Sequence, residues 1–229
     1  MPYGTLRQKH IGNGLVDRLA NLRTQIRPHA KRTFDLCAGI VLLIIVLPLV
    51  FLIIWAIALS GQVPFYSHVR VGRGGREFGC LKFRTMRRDS DVALAQLLQR
   101  DSAAKLEWET NRKLRRDPRV TRVGRFLRTT SLDELPQLIN VLAGQMSLVG
   151  PRPVTQGELA KFYGPSGTAA YISVRPGLTG LWQVSGRNEV GYHSRVALDS
   201  LYAQRLSLWM DIVILCRTVG VVVRQRGAW

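Results

Sequence analysis

Two adjacent carboxylates, Asp133 and Glu134, lie in the stretch TTSLDELPQLINVL, in a neighbourhood crowded with arginine. Arg119, Arg122, Arg125 and Arg128 precede them, and Arg152 follows. Lys82 and Arg84 are candidates to join them by folding. A carboxylate beside guanidinium groups stays ionised at neutral pH. An ionised carboxylate can attack phosphorus and form a covalent intermediate. Basic groups would hold a diphosphate, and a divalent metal would offset the negative charge between nucleophile and substrate. The same residues also have plainer readings. Ser131 and Glu134 match the capping-box pattern S-x-x-E ahead of an apolar run. Asp133 in a first helical turn is favoured by the helix dipole. The arginines can equally be a solvated face, or a face that meets lipid phosphates. Alone, the pair reads as a helix start; the basic surroundings favour chemistry.

The whole chain shares that bias. It has 33 Lys+Arg against 15 Asp+Glu, a net charge of +18 in 229 residues. Such an excess implies polyanionic partners: nucleic acid, anionic lipid or phosphorylated substrates. No helix-turn-helix, RNA-recognition or zinc-finger signature accompanies it, so nucleic acid is not the expected partner. An apolar content of 46% excludes a disordered chain. Cys37, Cys80 and Cys216 are too far apart for a disulfide framework or a zinc site, and read as small buried apolar residues. The four histidines show no metal-ligand spacing.

Ile40 to Leu59 is apolar throughout. As a helix it is about 30 Å long, enough to cross a bilayer's hydrocarbon core. It begins some forty residues in with no small-residue cleavage site after it, unlike a signal peptide. Pro48 sits at its middle, where a lost donor and a clash predict a kink. Residues 1–35 carry seven Lys/Arg, and residues 70–88 carry seven again. The positive-inside rule then places both flanks in the cytoplasm, which a broken, re-entrant helix satisfies and a single span does not; a single span with a tolerated proline is the plainer alternative.

Elsewhere, Val16 to Ile26 suits an amphipathic surface helix. Strands near 65–71 and 77–84 form a hairpin around Gly72-Arg73-Gly74-Gly75. That glycine cluster reads as a turn, with phosphate binding the sharper alternative. Asp91–Leu114 and Thr130–Leu142 read as helices, as does Glu158–Tyr163. Residues 164–191 look irregular, and Asp199–Val223 is one last helical stretch, interrupted by Asp211 and Arg217. Three regions result: a basic segment 1–30, a membrane helix 31–60 and a catalytic domain 61–229.

Several long stretches, taken together, resemble the bacterial sugar transferases, the monotopic polyprenyl-phosphate phosphoglycosyl transferases. They are KRTFDL (31–36), LKFRTM (81–86), DPRVTRVGRFLRTTSLDELPQLINVLAGQMSLVGPRP (117–153) and RPGLTGLWQVSGR (175–187). The resemblance implies a UDP-sugar donor and an undecaprenyl-phosphate acceptor, in exopolysaccharide assembly at the cytoplasmic face of a bacterial inner membrane. It implies Asp133 as nucleophile at the β-phosphate, UMP as leaving group, and Glu134 as a ligand of Mg²⁺. It offers Lys82, Arg84, Arg128, Arg152, Arg175 and Arg187, with Gln183, as phosphate, uridine or sugar contacts. It also implies a re-entrant membrane helix. One departure is Leu47, where the family often has serine before the breaking proline. The chain resembles the minimal form, without a multi-span N-terminal region. The expected fold is therefore a compact, mostly helical α+β domain with a small β-hairpin. It rests on a broken membrane helix at Pro48, with interfacial amphipathic helices and anionic lipids around it. Two non-enzymatic alternatives stay open on sequence: a membrane scaffold of polysaccharide export, and a membrane-anchored nucleic-acid-binding protein.

Overall fold

An uninterrupted apolar run builds the longest element, α1 (Pro28–Leu59), in this computed structural model. The structure describes residues 28–111, 114, 117–186 and 191–223. The expected surface helix at 16–26 and Arg187 both lie outside the described residues. Helix α1 continues through Pro48 as one α-helical element of 32 residues. Its inward stripe, Lys31, Asp35, Gly39, Ile53 and Ile57, recurs at helical spacing. The outward side presents Ile44, Ile45, Phe51, Leu52 and Trp55 to the surroundings, each more than 60% exposed.

Alternating apolar residues then form the hairpin β1 (Phe65–Val71) and β2 (Glu77–Phe83), paired antiparallel with Phe65 opposite Phe83. A short 3₁₀ turn at Arg73–Gly75 joins them, with Gly74 and Gly75 at positive φ, where glycine alone is unstrained. Helices α2 (Ser90–Arg100) and α3 (Ser102–Asn111) replace the single helix expected at 91–114. Asp101 leaves helical geometry at the junction, and its carboxylate accepts from the amides of Ala103 and Ala104. A strong capping group inside a run of helix formers starts a new helix there.

Helix α4 (Arg122–Thr130) is capped by Thr121 and ends at Ser131, whose φ of 60° closes it in left-handed geometry. A 3₁₀ turn at Leu132–Glu134 and α5 (Gln137–Leu142) follow. Gly124 lets α4 approach the Thr85 backbone so closely that any Cβ would strike it.

Strand β3 (Ser147–Val149) pairs in parallel with β4 (Gly177–Thr179), a second small sheet the sequence pattern did not suggest. Between them run α6 (Gln156–Phe162) and α7 (Gly164–Ser173), so residues 164–173 are helical and not irregular. The last stretch divides into α8 (Tyr192–Gln204) and α9 (Leu208–Val223). The fold is thus α+β and mostly helical, with a small hairpin and one long apolar helix near the N-terminus.

Three apolar clusters hold these elements together. The largest joins Leu138 and Val141 of α5, Leu148 of β3, and Met210 and Ile214 of α9, with Ala38, Leu42 and Val46 of α1 against it. Another gathers Val71, Leu159 and Tyr171. The third sets Ile53 and Ile57 of α1 against Phe83 and Leu127. Both halves of α1 therefore pack on the same body. At its base Lys31 is buried between Asp35 (3.0 Å) and Asp211 (2.7 Å), which gives Asp211 its place in the mostly apolar α9. Cys80 is buried as expected, whereas Cys37 and Cys216 are exposed, being on the outward sides of α1 and α9.

Candidate active site

The turn between α4 and α5 carries the carboxylates. Ser131 caps nothing with its side chain, and α5 begins only at Gln137. The expected capping box is therefore absent, and Asp133 and Glu134 are not the first turn of a longer helix. Their placement comes from two flanking anchors, Leu132 and Leu135, which pack into the cluster around Phe83 and Leu127. The polar side chains between those anchors point elsewhere, toward β2.

Lys82 meets them there. Its Nζ lies 2.6 Å from Glu134 Oε1 and 3.6 Å from Asp133 Oδ2. Asn140 fixes the strand that supplies it, accepting from the Leu81 amide at 2.9 Å and donating to Gly79 O at 2.8 Å. Arg152 approaches from the loop after β3, 3.5 Å from Glu134 Oε1. That loop leaves the sheet at Gly150, whose Cβ position is filled by the backbone of Arg175 and Gly177. Arg128 donates Nε to Thr85 Oγ1 at 2.9 Å, and among neighbouring charges Asp133 acts most strongly on its guanidinium. Gln183 joins Lys82, Glu134, Gln137 and Arg152 around one pocket.

Two of the proposed contacts fall elsewhere. Arg84 turns to the carbonyl of Val63 (3.1 Å) and over the Tyr66 ring, with no described contact to the carboxylates. Arg175 donates Nε to Gly144 O at 2.7 Å and lines a different cavity. The arginine series before the dyad is divided too. Arg119 is spent on Asp117 at 2.7 Å, and Arg122 and Arg125 face outward, so only Arg128 addresses the site.

Burial dominates the electrostatics. The side chains of Asp133 and Glu134 are 14% and 20% exposed. Burial first, and the neighbouring Glu134 charge after it, push the Asp133 carboxyl above its ordinary range. Lys82 is the strongest opposing influence, ahead of Arg128 and Arg152. The cation that most favours the ionised form of Asp133 is thus a lysine from the hairpin, not the adjacent arginines. A buried, raised carboxylate is a stronger nucleophile than a solvated one once ionised.

The donor set suits a hard cation only in part. Among the described residues no group of three or more His, Cys, Asp or Glu converges on a point. Two carboxylates alone do not enclose an ion, but Mg²⁺ commonly takes one or two carboxylates and completes its shell with substrate phosphates and water. Glu134 beside Asp133 fits that second pattern.

The bacterial sugar transferase family profile matches residues 26–225. The chain belongs to that family. It is 49% identical over 209 residues to a UDP-galactose-lipid carrier transferase of Erwinia amylovora, covering 91% of this chain and 43% of the relative. It is likewise 49% identical over 209 residues to an undecaprenyl-phosphate galactose phosphotransferase of Salmonella typhimurium, covering 91% and 44%. The chain spans under half the length of these two relatives. A relative of similar span is the exopolysaccharide production protein ExoY of Rhizobium meliloti, 48% identical over 201 residues, with 87% and 88% covered.

Three residues that sequence reasoning passed over stand behind the side chains that face the dyad. Asn140 sets the register of Lys82, as described. Arg195, on α8, lies 4.6 Å over the Trp182 ring, which Arg152 also approaches at 5.9 Å. No motif signals Arg195; only the fold of α8 onto the loop after β4 brings it near Arg152. Asp199 is 2% exposed and accepts from Tyr163 Oη at 2.9 Å. Burial, opposed by Tyr163 and Arg152, raises its carboxyl to about 8 from an ordinary 3.8.

That shift has a defined sign. Between 3.8 and about 8 the folded protein keeps a proton that the unfolded chain has released, so stability falls as pH rises through this window and levels off above it. Asp199→Asn retains an acceptor for Tyr163 and removes the ionisation. Its melting temperature is expected to fall less between pH 5 and pH 8 than that of the wild type, as read by scanning calorimetry. An unchanged pH dependence would show that Asp199 is ionised at neutral pH.

Proposed function

We propose that the chain is a phosphoglycosyl transferase. It moves a hexose 1-phosphate from a UDP-sugar to undecaprenyl phosphate and releases UMP. The observation that carries this reading is the half-buried carboxylate pair bridged by Lys82, with Arg152 and Arg128 beside it, on a body packed along an apolar helix. The names of the relatives point to the same chemistry with galactose, and one relative, from Komagataeibacter xylinus, is an undecaprenyl-phosphate glucose phosphotransferase.

Asp133 attacks the β-phosphorus of the donor. The bond from that phosphorus to the bridging oxygen breaks, and UMP leaves with the electron pair. The sugar phosphate is then an aspartyl mixed anhydride. An oxygen of the lipid phosphate attacks the same phosphorus and expels the Asp133 carboxylate, leaving a lipid diphosphate sugar. Lys82 keeps Asp133 ionised and in place before attack. Arg152 and Arg128 draw the diphosphate in and offset its charge. A bound Mg²⁺, held by Glu134 with the diphosphate, would supply Lewis-acid stabilisation of the departing phosphate. The test is a UMP-release screen of UDP-sugars with undecaprenyl phosphate, run with Mg²⁺ and with EDTA. UMP from no UDP-sugar would overturn the assignment, and full activity in EDTA would remove the metal role of Glu134.

Arg195 extends the donor site in this reading. Guanidinium groups of Arg195 and Arg152 flank Trp182, and each adds positive potential to the other. Arg195→Gln is expected to raise KM for the UDP-sugar about tenfold, the worth of one charge-assisted hydrogen bond, with kcat changed less. A kcat loss at constant KM would place Arg195 outside donor binding.

The helix α1 is read as re-entrant, with both ends on the cytoplasmic face of the inner membrane among anionic lipids. Its support is twofold. Both its halves pack on the one domain, through Leu42 and Val46 and through Ile53 and Ile57, and basic residues flank it on each side. Ser60→Cys, in a background without the native cysteines, is expected to react with a membrane-impermeant maleimide only after cytoplasmic access is opened. Reaction in intact cells, from the periplasm, would establish a full span.

A further inference from the structure

A second cavity opens at the base of α1. Lys31, Asp35, Arg73, Ser147, Ser173 and Arg175 line it, and it shares none of these with the dyad pocket. The charges around it are unevenly used. Lys31 is matched by Asp35 and Asp211. Arg32, nearby, gives its two terminal amino groups to Val141 O (2.6 Å) and Leu142 O (2.8 Å). Arg175 gives only Nε, to Gly144 O at 2.7 Å. Its terminal amino groups make no hydrogen bond or ion pair among the described residues. Arg73, in the hairpin turn, makes neither among them, and its side chain stands on the same cavity.

Capping explains part of this. The carbonyls of Val141, Leu142 and Gly144 are the end of α5, where cations offset the helix dipole. That accounts for Arg32 and for one nitrogen of Arg175. It leaves the forked end of Arg175 and the whole of Arg73 without a partner among the described residues. The two arginines and Arg32 also repel one another: after burial, Arg32 and Arg73 are the main influences weakening proton affinity at Arg175. A planar guanidinium end facing a cavity beside another unneutralised guanidinium is the geometry that takes up an oxyanion.

We propose that this cavity binds a single phosphate group, gripped by the free ends of Arg175 and Arg73. Asp35 sets the limit on its size. Its Oδ1 accepts from Lys31 and from the Leu148 amide, and its Oδ2 is buried without a hydrogen-bond partner among the described residues. A carboxylate oxygen on the wall repels a second phosphate and accepts from a hydroxyl or water next to the first. A phosphomonoester or diester fits; a diphosphate does not. The position at the start of α1 suits a lipid headgroup, and free phosphate carries the same chemistry.

The site is independent of the transfer reaction, so its test is direct binding. The full chain in dodecyl maltoside is titrated with inorganic phosphate by calorimetry at constant ionic strength. Lys82→Gln serves as the background, because it removes the lysine of the dyad pocket. Phosphate binding is expected to persist there. It should weaken about tenfold in Arg73→Gln, as for one charge-assisted contact, and vanish in the Arg73→Gln/Arg175→Gln pair, while the exposed Arg100→Gln leaves it unchanged. Arg73 stands in an exposed turn, so its variant reports on binding and not on the α5 cap. A parallel arm counts phosphatidylglycerol retained in native mass spectra after extraction from bilayers. A lipid lost in the paired variant identifies a headgroup as occupant; phosphate binding without retained lipid identifies free phosphate. Binding abolished by Lys82→Gln alone, binding unaffected by the paired change, or binding of neither probe overturns the proposal.

Discussion

Asp133→Asn is expected to abolish sugar-phosphate transfer, by about a thousandfold or more in kcat. The amide has the size of the carboxylate and lacks its nucleophilic charge, so the change removes chemistry and little packing. The stability consequence has the opposite direction. The Asp133 carboxyl is raised above its ordinary value, by burial first and Glu134 second. Its favourable contribution to folding is complete below 3.8 and is lost as pH rises through the raised value, so at neutral pH the ionised form costs stability. The asparagine variant is therefore expected to melt no lower than the wild type at pH 7. Inactivity with an undiminished melting temperature separates a missing nucleophile from a damaged fold. A donor labelled at the β-phosphate should also leave label on acid-quenched wild-type protein and none on the variant. Unchanged turnover in Asp133→Asn would remove the nucleophile assignment, and label retained on the variant would move it to another residue, Glu134 being the nearest.

How the site looks from sequence depends on which forces set each element. The hairpin was legible because strand alternation and a glycine-rich turn are local signals, and β1 and β2 fall at 65–71 and 77–83. The apolar helix was legible because its composition overwhelms everything else. The dyad's local geometry was not. S-x-x-E before an apolar run predicts a helix cap, yet Ser131 is in left-handed geometry and closes the preceding helix instead. The deciding contacts are tertiary: Leu132 and Leu135 seek the cluster at Phe83 and Leu127, and the helix expected at 130–142 is reduced to a 3₁₀ turn and the short α5. Arg175 shows the same limit. Its motif places it with phosphate-binding residues, but β4 pairing with β3 sends its side chain to the end of α5. Arg195 and Asn140 carry no local signal because their roles arise from elements over 40 residues away in sequence, Arg152 and Leu81.

Lys82 is where that long-range arrangement has its largest chemical consequence. Its ammonium touches Glu134 at 2.6 Å and reaches Asp133 at 3.6 Å, and Asn140 holds its strand in register. Two adjacent half-buried carboxylates repel each other, and their ionisation is a property of the pair. Without the lysine, the strongest influence favouring the Asp133 anion is gone, while burial and Glu134 continue to oppose it. The Asp133 carboxyl then rises further, and a smaller fraction is ionised at any given pH. Lys82→Met is thus expected to lower kcat/KM about a hundredfold or more near neutrality, combining lost ionisation with lost diphosphate attraction. The acid limb of its pH profile should move upward, so that raising the pH recovers part of the loss. Lys82→Arg keeps the charge and should leave the limb close to its wild-type position. A merely structural ion pair predicts something else: a lower melting temperature with an unshifted limb. An acid limb that stays in place in Lys82→Met, with the protein folded, would show that Lys82 does not control the nucleophile.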